Sequence, residues 1–207
     1  MGPAHSLGLE IEHRPAPSPE RPSGDFYSIH VARSEKNQVA LYQVCKHQYF
    51  RNRLMTHPVS DIKVINNIQE LAQYEIERIG VVGSSLLRFT PSLDFLNSNP
   101  GVQRESMWTL DHAFTSQFEN EIRAVTNLPL GDIASIGEWM TIEFSAPGHL
   151  DMVHPYLHLF ARNPRYKIHK FTSHTGVISI RASDEAKWDL REELVHAVDY
   201  LEGVIDE

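Results

Sequence analysis

The chain has 207 residues, 41% hydrophobic and 22% charged: enough apolar material for a real core, and little length for two average domains. Its formal net charge of -8 argues against a whole-surface nucleic-acid binder, and a single cysteine, Cys45, excludes an intrachain disulfide framework. No apolar run approaches the roughly 20 residues of a membrane span, and no signal-peptide pattern follows Met1, so a cytoplasmic protein is expected.

The first 24 residues carry Pro3, Pro15, Pro17, Pro19 and Pro22 among charged side chains. Such a stretch buries too little apolar surface to offset its ordering entropy, so 1–24 reads as a flexible arm and 25–207 as a single domain. FYSIHVA (26–32) alternates apolar and polar residues as a half-buried strand does. Ser34 and Asn37 then open an amphipathic helix over 39–54, with Val39, Leu41, Val44, Cys45 and Leu54 on its apolar side. Within it, Cys45 reads as a small buried hydrophobe before it reads as a nucleophile. DIKVINN looks extended, whereas IQELAQYEIERI fits a helix or a strand.

Residues 81–89 read as a strand with Gly83 as a bulge, 90–101 as a polar loop and 108–125 as a helix. A buried strand is expected over 133–144, broken by Ala146-Pro147-Gly148, and a helix over 149–162. Strands at 166–171 and 176–180 precede a closing helix over 183–205, capped by Ser183 with Asp184 and Glu185 in its first turn. Strands alternating with helices give an α/β (α+β) fold class: a single domain, its central mixed sheet carrying helices on both faces.

The unit from Ile133 to Arg162 carries the specific functional content. A strand feeding a glycine-containing turn and a helix aims backbone N–H groups at anything anionic, although the one glycine of SAPGHL also suits an ordinary turn. RNPRYKIHK gathers Arg162, Arg165, Lys167 and Lys170, a basic cluster suited either to phosphates or to a solvated helix end. His154 and His158, four apart, fall on one helix face, with His149, His169, His174 or Asp151 as a third metal ligand. In a chain with twelve histidines that spacing is frequent by chance, and no metal is assigned.

The element order, together with QYFRNRL, LDHAFTSQFENEIRAV, IASIGEWMTIEFSAPGHL and HKFTSH, resembles the GNAT acyltransferases over about 26–175. More narrowly it is similar to the branch holding long-chain N-acyl amino acid synthases, acyl-homoserine lactone synthases and thermostable hemolysins. The resemblance implies a GNAT-like sheet and an N-acyltransferase moving an acyl group from an acyl thioester to an amine such as an amino acid. Acyl-CoA or acyl carrier protein would be the co-substrate, with no tightly bound cofactor. Expected partners are a small-molecule amine and an acyl carrier protein, with no nucleic acid and no membrane span. The resemblance makes Glu138 the catalytic base and sets Ala146, Gly148, His149, Arg162 and Arg165 around the thioester's phosphates. Two alternatives stand beside it: a non-catalytic interaction domain on the same scaffold, and a histidine-cluster metalloprotein.

Overall fold

The computed structural model describes residues 21–182 and 189–205. Four strands open the described chain: β1 (Phe26–Arg33), β2 (Val39–Leu41), β3 (Cys45–Phe50) and β4 (Arg53–Pro58). The helix expected over 39–54 is therefore three strands. Its apolar residues fit helical spacing, but Arg51 and Asn52 both adopt positive φ (49° and 64°) and reverse the chain into a tight hairpin. Cys45 lies buried in β3, and burial pushes its thiol pKa up, away from a reactive thiolate.

Helix α1 (Ile62–Ile79) follows, where DIKVINN reads as extended. The Asp61 side chain accepts the Lys63 N–H and starts the helix, and Gly80 ends it in the left-handed region with its N–H on the Ile76 carbonyl. Strand β5 (Gly83–Phe89) matches expectation, while the loop at 90–101 contains β6 (Phe95–Pro100). The helix expected over 108–125 is two, α2 (Thr109–His112) and α3 (Gln117–Val125), because Ser116 caps a new start by accepting the Glu119 N–H at 3.2 Å. Strand β7 (Trp139–Ser145) begins only after Gly137, at φ 73°, and residue 135 makes no more than a bridge to Ala113. The order closes with α4 (Val153–Arg162), β8 (Lys167–Lys170), β9 (Thr175–Arg181) and α5 (Leu190–Leu201). Asp189 caps α5; Ser183, Asp184 and Glu185 lie outside the described residues.

The sheet runs β6-β5-β1-β3-β4-β7-β9-β8, with β2 paired beside β1. Every pairing among the described residues is antiparallel, so the domain is α+β and the expected mixed sheet is corrected. Most sheet neighbours are also close in sequence, and short connections of that kind produce antiparallel pairs. One face is apolar and takes the longer helices. Ile68, Ala72 and Ile76 of α1 pack on Ile29, Val31, Leu87 and Phe89, while Leu159 of α4 and Leu194, Ala197, Val198 and Leu201 of α5 pack on Ile142, Phe144, Ile178 and Ile180. No helix among the described residues is long and apolar enough to cross a membrane.

Candidate functional site

Because side chains alternate along a strand, burying Ile29, Val31, Leu87 and Ile142 under the helices sends their neighbours to the opposite face. That face is polar across the middle of the sheet: Ser28 and His30 from β1, His47 from β3, Thr56 from β4, Arg88 from β5, Thr141 and Glu143 from β7. A segment through Glu105, Trp108 and His112, followed by α3, covers much of it, and Ser28, His30, His47, Arg88 and Glu105 are buried.

An ionic network crosses this face. Arg88 donates through Nη2 to Glu105 Oε1 at 2.6 Å and through Nη1 to Asn97 Oδ1 at 3.1 Å. The Asn99 amide, turned with its oxygen toward the guanidinium, accepts from the same two nitrogens at 2.6 and 3.0 Å. Arg21 lies 3.2 Å from Glu105 through Nε and donates both Nη groups to Glu143 at 2.8 Å. Burial by itself would raise the Glu105 pKa; Arg21 and Arg88 outweigh it and hold the carboxyl below its ordinary range. Burial likewise disfavours the Arg21 cation, and the hydrogen bond to Glu143 with the charge of Glu105 reverses that, pushing its pKa up.

Beside the network, His47 is hydrogen-bonded to Ser28 Oγ at 2.6 Å and to Thr56 Oγ1 at 2.9 Å, with the Phe26 ring stacked on it at 4.3 Å. This serine–histidine contact is sealed from solvent, and burial lowers the His47 pKa to about 3, so it is a neutral structural link. His30, lowered to about 3 by the same cause, finds no hydrogen-bond partner for either ring nitrogen among the described residues. Trp108 and Trp139 stack at 4.5 Å, and His112 lies parallel to Trp139 at 5.6 Å with its own ring nitrogens unpartnered among the described residues. At the β8 edge, His169 Nε2 meets Asp111 Oδ2 at 2.6 Å.

Two openings reach this half of the molecule. A crevice of about 210 Å³ between Asn52, Arg104, Glu143, Ser145, Phe171 and Thr175 opens onto the ionic network, and the Arg104 guanidinium sits 4.6 Å from the centre of the Phe171 ring. A wider cleft of about 560 Å³ lies beside the start of α1, lined by Tyr27, Lys46, His57, Asp61 and Glu138. The smaller opening is the better candidate, because it alone borders the clustered charges.

No known family profile matches the chain. Individual sequences do. It is 31% identical over 140 residues to the N5-carboxyaminoimidazole ribonucleotide synthase of Mycobacterium bovis, covering 61% of this chain and 33% of that protein. It is 35% identical over 69 residues to the Pseudomonas aeruginosa enzyme of that name, covering 33% and 19%. Among solved structures, the Thermus thermophilus synthetase superposes with a TM-score of 0.69 at 21% identity, covering 91% of this chain and 52% of that one. The Aspergillus clavatus enzyme, in complex with ADP and 5-aminoimidazole ribonucleotide, gives 0.70 at 13% identity, covering 85% and 50%. The chain spans a third or less of the matched sequence relatives and about half of the matched structures. The likeness in fold is to a single α+β domain with an antiparallel sheet and helices, shared with about half of each of those structures.

These likenesses overturn the GNAT resemblance, and with it N-acyl transfer, the acyl-CoA or acyl carrier protein co-substrate and the N-acyl amino acid product. Neither the non-catalytic GNAT-scaffold alternative nor the metalloprotein alternative fits better. The topology agrees. A thioester channel needs the strands at 133–144 and 166–171 to splay as neighbours, yet β9 lies between them and pairs with β7 along its whole length.

The structure does not bring the residues singled out from sequence together. Glu138 is exposed in the wider cleft. Ala146 is buried against the α5 cluster, and Gly148 and His149 are exposed in a turn whose helix starts only at Val153. Arg162 is exposed at the end of α4, while Arg165 is tied to both oxygens of Glu193 at 3.1 Å. His154 and His158 stack at 6.4 Å, and the described residues contain no group of three or more His, Cys, Asp or Glu able to hold a metal. Sequence reasoning passed over Arg21, Arg88, Arg104 and Glu105. For Arg88 a signal existed: an arginine between Leu87 and Phe89 in a strand demands a partner wherever its face of the sheet is covered.

Proposed function

We propose that this chain binds an adenine nucleotide on the polar face of its sheet, as part of a ligase of the N5-carboxyaminoimidazole ribonucleotide synthase type. The reaction is the ATP-consuming carboxylation of the amine of 5-aminoimidazole ribonucleotide. The observation that carries this is the 31% identity over 140 residues to a synthase of that name. Likeness to structures holding ADP, ATP and 5-aminoimidazole ribonucleotide supports the nucleotide.

The chain's own groups suit anion binding. Arg104 is exposed at the mouth of the crevice, Arg21 is about one-third exposed beside it, and a guanidinium pairs with phosphate oxygens through two parallel N–H bonds. Phe171 offers a ring face for a flat heterocycle. Reactions of ATP ordinarily place a divalent cation on the phosphates. The residues here do not fit one: Glu105 and Glu143, the carboxylates next to the crevice, are both held by arginines. No step is therefore assigned to a metal.

The test is ADP release in the presence of ATP, bicarbonate and 5-aminoimidazole ribonucleotide, with thermal unfolding followed alongside. Binding at about 100 times Kd adds about 2.7 kcal/mol of stability, so ADP or ATP raises Tm measurably. A folded protein whose Tm ignores both nucleotides and the ribonucleotide overturns the reading.

A further inference from the structure

The nucleotide reading sets phosphates against a face where the charges have already paired. Glu105 Oε1 receives Arg88 Nη2 at 2.6 Å and lies 3.2 Å from Arg21 Nε, and Glu143 takes both Nη groups of Arg21 at 2.8 Å. One guanidinium thus spans two carboxylates from separate elements, the segment after β6 and strand β7, as a bound cation would. A second, Arg88, sits among the oxygens of Asn97, Asn99 and Glu105. A hard divalent cation needs several oxygen donors with free lone pairs and surplus negative charge around them. Here those oxygens are engaged by N–H donors. With Arg104 counted, three guanidiniums face two carboxylates, and the surplus is positive. Asp111, farther along the face, is taken by His169.

We infer that the Arg21–Glu105–Arg88 network with Glu143 takes the place of a divalent cation on this face, so that the chain binds nucleotide phosphates without Mg²⁺. This rests on the nucleotide reading above. Arg104 is the direct phosphate contact: it is exposed, lines the crevice with Glu143, and has no carboxylate partner among the described residues. Arg21 contributes from the inner wall while keeping its hold on Glu143, and Arg88, fully buried, acts through Glu105.

The experiment is calorimetric titration of ADP into the full chain, once with excess MgCl₂ and once with excess EDTA. The expected result is the same Kd within about twofold in both buffers. Binding tighter by about tenfold or more with Mg²⁺ overturns the inference and leaves the nucleotide reading standing. No binding in either buffer by a protein with intact circular dichroism removes both. Arg104→Ala, a surface change that spares the fold, weakens ADP binding in EDTA by about tenfold, and an unchanged Kd overturns the contact assigned to it. Arg21→Met frees Glu143 and leaves Glu105 to Arg88 alone, so Mn²⁺ binding followed by electron paramagnetic resonance appears in this variant and is absent from the parent. Saturable Mn²⁺ binding by the parent overturns the inference.

Discussion

His30, His47 and His112 are held neutral by burial, with pKa values lowered from 6.5 to about 3, about 3 and about 4. In the unfolded chain they titrate near 6.5, so between that value and about 4 the unfolded state binds more protons and stability falls with the pH. Glu105 has the same sign in a lower window: its stabilisation is present above the ordinary carboxylate range and is lost as pH falls toward its depressed folded value. The urea midpoint is therefore expected to drop steadily from about pH 7 to about pH 4. His112→Phe keeps the stack on Trp139 and removes two buried nitrogens without partners among the described residues. It is expected to stabilise by about 1 kcal/mol near neutrality and to flatten the pH profile. A variant as acid-sensitive as the parent would refute the account. Arg88→Met leaves the buried Glu105 charge with Arg21 alone and costs about 3 kcal/mol, whereas Arg88→Met with Glu105→Leu recovers most of that loss in a denaturant double-mutant cycle. At this scale the sequence announced the need for a partner at Arg88, but not that Arg21 would help supply charge balance from 84 positions away in the chain's own proline-rich lead-in.

Elements were legible where the local signal matched the period of burial. FYSIHVA alternates and is β1; Ile68, Ala72 and Ile76 step by four and are the buried line of α1. Between 39 and 54 the apolar residues satisfied helical spacing as well as strand spacing, and what decided the outcome was the left-handed pair Arg51–Asn52, whose hairpin depends on the sheet it joins. The turn at Gly148 drew attention for its glycine, yet a Cβ there would meet nothing. Gly176, by contrast, has a packing reason. A Cβ at that position would lie 2.7 Å from Phe144 Cζ and press on the His169 carbonyl across the β8–β9 ladder. Gly176→Ala is accordingly expected to cost about 2 kcal/mol by overpacking, read as a lower Tm, while Gly148→Ala leaves Tm unchanged.

At the scale of the molecule, two of the sheet's apolar clusters are roofed by the longer helices, α1 over β1 and β5, and α4 with α5 over β7 and β9. The narrowest seam in the sheet is the β4–β7 pairing, within the second cluster because Met55 packs there with Ile142, and its register holds only at Met55 with Ile142 and Thr56 with Thr141. Polar groups reinforce it. Trp139 stacks on Trp108 and donates its indole N–H to Gln43 at 3.2 Å, Arg21 joins Glu105 to Glu143, and Arg53 of β4 reaches Asp199 at 2.8 Å and Glu202 at 2.5 Å at the end of α5. The last of these is the strongest tie on the helix side, because one guanidinium satisfies two largely buried carboxylates, and Glu202 also accepts the Ser145 N–H. Arg53→Met keeps the aliphatic stem and removes the charge, leaving Glu202 without its guanidinium and Asp199 with only the exposed Arg51 at 3.3 Å. Breaking a partly buried pair of this kind costs about 2 kcal/mol, less than a sealed pair because water reaches it. The loss should fall unevenly: native-state hydrogen exchange is expected to quicken in β7, β9 and α5 while β1 and β5 keep the exchange rates of the parent. Uniform acceleration through both clusters would show instead that the seam transmits the loss and the sheet opens as one unit.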